Sequence, residues 1–274
     1  MWIRRKEVKK LTEEVKALIQ GEDIDIRQNK EGVMRILRND IHTLATMKKE
    51  QLAITLQERD VLKNTIADIS HQLKTPLTSM MIMADLLEDA PPETQLDFIS
   101  NIKTTLERTE WLVSSLLKMA KLEAKTIEFK RETVSFKTLV EEAMDGLNIQ
   151  FELKNQQLRL IGDGVFTCDK RWTVEALTNL LKNASEHSPK NATITVESGA
   201  NPLSRWINII DEGPGIKRED VGKLFKRFEI STTPSGFGIG IPLALSIMKS
   251  QFGDIGVDIG GKGRGATFTM KFYK

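Results

Sequence analysis

From Leu62 the apolar residues Leu62, Ile66, Ile69 and Leu73 recur at four-three-four spacing, and Leu77, Met80, Ala84 and Leu87 resume the run after a one-residue slip at Pro76. Spacing of this kind lays one apolar seam along one side of a long helix. Inside it sits the string SHQLKTPLTS. At ~100° per residue, His71 lies roughly 160° from both Ile69 and Leu73, so its imidazole faces away from the seam. Pro76 removes a helical hydrogen bond and predicts a bend just after the histidine. Taken alone, this is a histidine on the polar side of a kinked helix, which many surface helices carry without any function.

The spacing predicts one helix from about Arg35 to Asp89, roughly 80 Å at 1.5 Å per residue. Ala90-Pro91-Pro92 ends it, and a second helix starts near Glu93. On that helix Ile99, Ile102, Leu106, Thr109, Val113, Leu116 and Ala120 keep three-four spacing. A two-helix hairpin buries such a seam poorly, whereas two copies make a four-helix bundle. The chain is therefore expected to be a homodimer with His71 on the outside of the bundle. The rival arrangement packs the seam within one chain against the C-terminal part.

Upstream, Val8, Leu11, Val15, Leu18 and Ile19 form the stripe of a helix over residues 1–20, which Gly21-Glu22-Asp23 ends. The next helix starts at about Val33. This helix, connector, helix layout resembles a HAMP-type signal relay. Trp2-Ile3-Arg4-Arg5-Lys6, with Lys9 and Lys10, reads like the cytoplasmic flank of a membrane helix, or equally as a cationic start to a soluble helix. No run of eighteen apolar residues exists in the chain. A net charge of +2 gives no drive toward nucleic acid. The single cysteine, Cys168, excludes an intrachain disulfide and fits a reducing compartment, so a cytoplasmic location is expected.

Lys121 to Arg131 reads as a charged, flexible linker, and beyond it the pattern turns to mixed α and β. Strands are expected at Glu132–Phe136, Gln157–Ile161, Val165–Cys168, Ala192–Glu197, Trp206–Ile210, Ile255–Ile259 and Ala266–Phe272. Helices are expected from Lys137 to about Asn148, from an Asp169 N-cap through His187, and over Pro242–Phe252. Helices packed on one face of such a mixed sheet make a two-layer α/β sandwich. The expected domains are a juxtamembrane or HAMP-like relay over 1–47, a helical hairpin over 48–125 and an α/β domain over 130–274.

Within the α/β part, Asn179, Asn183 and His187 share one helix face in LTNLLKNASEHSP. Asp211-Glu212-Gly213-Pro214-Gly215 follows an apolar strand, and Gly236-Phe237-Gly238-Ile239-Gly240 precedes a helix. No GxxxxGK[ST] string occurs, which excludes a P-loop NTPase. SHQLKTPLTS followed in order by these three motifs resembles the phosphoacceptor and nucleotide boxes of sensor histidine kinases, from about residue 60 to the end. The α/β part is similar to the ATP-binding fold shared with DNA gyrase and heat-shock chaperones.

The resemblance implies ATP and Mg²⁺ as cofactors, His71 as the phosphorylated residue and an aspartate of a response regulator as the next acceptor. It also implies an upstream transmembrane sensor. The family's motif asparagine maps onto Asn183, and an amide oxygen suits Mg²⁺ because it ligates without adding charge beside a polyanion. Asn179 is expected to support the helix or the second ring of hydrogen bonds. Glu186 stands where relatives often carry a basic residue, which leaves Lys182 and His187 as substitutes. Asp211 is placed to accept the adenine amine, while Gly213 and Gly215 allow close backbone approach. Gly236, Gly238 and Gly240 free N–H groups for phosphate at a helix N-terminus. Leu224 to Phe228 resembles the aromatic box that packs on a lid, with Lys226 or Arg227 near phosphate. Gly263 to Thr267 resembles the last glycine box, with Thr267 near adenine, although a plain hairpin turn reads equally well there.

Gln72 replaces the Asp or Glu that most relatives carry after the histidine, and Thr75 lies one turn beyond it, placed to orient a water for dephosphorylation. His42 and His187 are poorer phosphoacceptors. A predominantly dephosphorylating enzyme, a dimeric signalling scaffold without catalysis and a gyrase- or chaperone-type ATPase clamp are the competing functions.

Overall fold

The computed structural model describes residues 5–19, 33–229, 237–260 and 265–273. Expectations for Trp2 to Arg4, for the connector over 20–32, for Gly236 and for Gly263 and Arg264 fall outside them. Two compact units divide the chain, residues 1–71 and 72–274.

The first unit holds α1 (Arg5–Ile19) and the larger part of α2 (Val33–Glu88). Leu11 is buried at the centre of the α1 stripe, and Arg38 of α2, also buried, is ion-paired to Glu14. Helix α2 is helical without interruption from Val33 through Pro76 to Glu88, so the proline does not end it. Much of its apolar surface has no cover: Leu62, Ile66 and Leu77 are each at least half exposed.

In the second unit, Pro91 and Pro92 open α3 (Pro92–Glu123), with proline in the first turn, where no N–H is needed. The buried residues of α3 are Thr109, Leu112, Ser115, Met119 and Leu122, of which only Thr109 belongs to the row read from spacing. Ile99, Leu106 and Val113 of that row are exposed, and Leu116 is half-buried. The buried stripe packs against the α/β core, through α8 (Gly240–Ser250). The expected linker is also different. Helix α3 continues to Glu123, and the segment after it is pinned. Phe129 meets Trp172 edge-on at 6.1 Å, the Lys130 N–H donates to Asp169 Oδ2, and Arg131 donates to the Gln251 carbonyl.

The α/β part begins with β1 (Glu132–Ser135), which pairs antiparallel with β3 (Val165–Cys168). Between them lie α4 (Phe136–Met144), the short α5 (Asn148–Leu153) and β2 (Gln157–Ile161). Ser135 caps α4 by accepting the Thr138 N–H. Asp169 caps α6 (Lys170–His187) by accepting the Trp172 N–H. The main sheet adds β4 (Thr193–Ala200), β5 (Ser204–Ile210), β6 (Gly253–Asp258) and β7 (Thr267–Tyr273) in the order β2-β4-β5-β7-β6. Only the β2–β4 pair is parallel. A four-residue helix, α7 (Val221–Leu224), follows β5.

Helices α4, α6 and α8 cover one face of this sheet. Leu139, Leu177, Leu180, Leu181, Leu243 and Ile247 of the helices are fully buried with Ile194, Val196, Ile207, Ile209, Phe268 and Met270 of the strands. The result is the two-layer sandwich expected from the alternation of the strands. Each fully buried Leu, Ile or Phe contributes ~1.5–3 kcal/mol against conformational entropy, so this layer is the rigid base on which the site is built.

Candidate nucleotide site

Helix α6 turns one stripe of side chains, Asn179, Lys182, Asn183, Glu186 and His187, into a cavity of about 520 Å³. The end of the helix is held from outside the stripe. Lys154 Nζ donates to the carbonyls of Ser185 and Glu186 at 2.6 and 3.0 Å, and the buried Gln156 amide donates to those of Ser185, Ser188 and Pro189. These bonds satisfy carbonyls that a helix C-terminus leaves without partners, and a cation there complements the helix dipole.

Asp211, 4 % exposed, closes the far side of the cavity at the end of β5. Its Oδ1 accepts the N–H groups of Gly213 at 2.8 Å and Ala266 at 3.0 Å, while its own N–H donates to the Ala266 carbonyl. Burial pushes its carboxyl above the ordinary carboxylate range, and the two N–H donors and nearby His187 pull it back. A Cβ on Gly265 would run into Asp211 O and Oδ1, so a glycine is needed where the two backbones clasp. Gly238, with φ +66°, and Gly240 bring the start of α8 to the cavity. A Cβ on Gly240 would stand only 3.1 Å from Asn179 Oδ1. N–H groups at this helix start suit an anion.

Of the residues singled out from sequence, Asn179, Lys182, Asn183, His187, Asp211, Gly215, Gly238 and Gly240 line this cavity. Gly213 supports it through the Asp211 bond. Thr267 and Arg227 are not in its wall. Thr267 lies between the lining residues Ala266 and Phe268, and neighbouring strand side chains face opposite ways. Arg227 is ion-paired to Glu123 of α3. Sequence reasoning missed Trp111, Ile216, Lys217 and Phe237 in the wall. His71 and Thr75 are exposed on α2, and Gln72 is half-buried. Among the described residues, none of α2 lines the cavity.

The His Kinase A (phospho-acceptor) domain family matches residues 61–125, and the Histidine kinase-, DNA gyrase B-, and HSP90-like ATPase family matches 168–274. This chain belongs to the sensor histidine kinases. It is 29 % identical over 229 residues to sensor histidine kinase WalK of Bacillus subtilis (strain 168), a match covering 79 % of this chain and 37 % of that protein. Among solved structures, Acinetobacter baumannii histidine kinase AdeS matches with a TM-score of 0.63 and 24 % identity, over 74 % of this chain and 97 % of the other. Histidine kinase ThkA, in complex with response regulator protein TrrA, matches with a TM-score of 0.66 and 20 % identity, over 83 % and 66 %. These structural likenesses show the fold, a helical hairpin followed by an α/β sandwich. The chain spans between 37 and 51 % of the length of the first curated relatives it matches. Among the described residues no helix is long and apolar enough to cross a membrane.

Proposed function

We propose that this sensor kinase autophosphorylates His71 from ATP and passes the phosphoryl group to an aspartate of a response regulator. The observation that carries the reading is the cavity, in which Asn183, the clasped Asp211 and the start of α8 converge in a chain whose phospho-acceptor match spans His71. Asp211 accepts the adenine amine, and Lys182 and the α8 N–H groups meet the phosphates. The unprotonated ring nitrogen of His71 forms a bond to the γ-phosphorus as the bond to the ADP oxygen breaks. Catalysis of this kind is mostly positioning plus charge neutralisation.

The donors also fit a magnesium ion. An ion held at Asn183, which lines the cavity, would share its shell with phosphate and water, as Mg²⁺ prefers. When bound, the ion neutralises phosphate charge. Homodimerisation is supported by the exposed apolar residues of α2 and α3, Leu62, Ile66, Leu77, Leu106 and Val113 among them. The reading divides the chain into a relay over 1–47, a phosphoacceptor hairpin over 48–125 and an ATP-binding domain over 130–274, on the cytoplasmic side of a membrane-anchored sensor.

Incubation with γ-labelled ATP and magnesium tests the kinase reading. Label that acid removes and alkali leaves marks phosphohistidine, and absence of label in a chain that binds ATP favours a non-catalytic scaffold.

Gln72 favours a second reading, in which dephosphorylation of the regulator, aided by Thr75, is the main output. An amide can accept a hydrogen bond from the imidazole N–H and orient the ring, but it cannot take up the proton released as phosphohistidine forms. The loss is limited, because in a neutral ring the attacking nitrogen carries no proton. Gln72→Glu is therefore expected to speed single-turnover autophosphorylation by up to about 10²-fold, the low end of general-base assistance. Nucleotide affinity stays unchanged. An equal or lower rate at saturating Mg-ATP means that Gln72 is not limiting.

A further inference from the structure

Trp111 belongs to α3, in the phosphoacceptor hairpin, yet it lines the nucleotide cavity. The Lys182 ammonium lies over its ring, 4.8 Å from the centroid, which is a cation–π contact. The same length of α3 is seated on the ATPase layer by Leu112, Met119 and Leu122, all buried in the common core. Two ion pairs flank the seat, Lys118–Glu175 at 2.8 Å and Glu123–Arg227. At its centre Ser115, 1 % exposed, has a hydroxyl with no hydrogen-bond partner. An orphaned buried hydroxyl weakens an interface, so α3 is held here by a seat built to release.

We propose that Trp111 is a latch between α3 and the nucleotide site, closed while Lys182 rests on its ring and opened when a triphosphate draws Lys182 away. The inference rests on the nucleotide reading above and adds its regulation. Lys182 has two competing partners, an aromatic face and a polyphosphate. The phosphates win by charge, at the cost of the contact that ties the cavity to α3. A diphosphate reaches less far and draws less on Lys182. The closed latch thus lowers affinity for the triphosphate more than for the diphosphate, and the free energy of binding ATP is coupled to lifting the ATP layer off the hairpin.

The test is the affinity of the full chain for Mg-AMPPNP and for Mg-ADP. Trp111→Leu keeps an apolar side chain in the seat but removes the π face. It is expected to tighten AMPPNP binding roughly fivefold, the scale of one such contact, with a smaller effect on ADP. Trp111→Phe should fall between. Ser115→Asp, which places a carboxylate in the apolar seat without touching the cavity, should tighten AMPPNP in the same direction. The latch is overturned if Ser115→Asp leaves AMPPNP affinity at the parental value, or if Trp111→Leu shifts both nucleotides equally. A parent chain that binds neither nucleotide removes the nucleotide reading itself, and the latch with it.

Discussion

His71→Gln is expected to reduce acid-labile phosphate incorporation to background while Mg-ATP binds with parental affinity. Glutamine keeps a polar side chain of similar length, but its amide nitrogen is not a nucleophile, so no phosphoryl intermediate forms. Among the described residues, the wall of the nucleotide cavity is drawn from α3 and the α/β layer, with none from α2. Binding and chemistry therefore separate in this variant. His71 is exposed, and substitutions at such helix positions usually change stability by no more than about 0.5 kcal/mol, so loss of label cannot be put down to unfolding. Chain-wide phosphate analysis checks the assignment. Acid-labile label persisting in His71→Gln would move the acceptor elsewhere, with His187 the first to examine because it lines the cavity.

What could be read from the amino-acid order was whatever local chemistry decides. Asp169 is a cap whose side chain accepts the N–H three residues on, at Trp172, and the start of α6 follows from that alone. Strands β2 and β3 begin and end where the apolar runs do. The stripe of Asn179, Asn183 and His187 is a matter of helical period. Contacts between residues a hundred positions apart were invisible. Spacing on α3 pointed to the row of Leu106 and Val113, but the ATPase layer covers Leu112, Ser115, Met119 and Leu122. Nothing in the linker's charge announces that Phe129 packs on Trp172, or that Arg131 reaches the Gln251 carbonyl. Arg227 looked like a phosphate ligand until Glu123, supplied by a distant helix, took its charge. Thr267 missed the cavity by one strand position, which in a period of two is the opposite face. Trp111 carries no motif, and only the docking of α3 shows that it belongs to the nucleotide site.

Gly265→Ala is expected to weaken nucleotide binding by roughly 10- to 100-fold, because forcing atoms into a close-packed site costs about 1–3 kcal/mol. The added methyl meets backbone and carboxylate of Asp211, not the end of a flexible side chain that could swing aside. The clasp gives it nowhere to go. Ala266 donates to Asp211 Oδ1 and accepts from the Asp211 N–H, so residues 265 and 266 cannot retreat without breaking both bonds. Asp211 must move instead, and a carboxylate shifted off its donors is poorly placed to receive the adenine amine. The strand ends are more strongly anchored than the clasp, since Ile209 and Phe268 pair across β5 and β7 and are both buried. The variant should therefore remain folded, with the damage confined to the site. Gly146→Ala is the matched control, because a Cβ there meets nothing within 4 Å, and its affinity should equal the parent's. Titration of Mg-ATP into the three proteins, alongside their thermal melting, decides the matter. Parental affinity in a folded Gly265→Ala chain would show that the clasp around Asp211 is not what holds the nucleotide base.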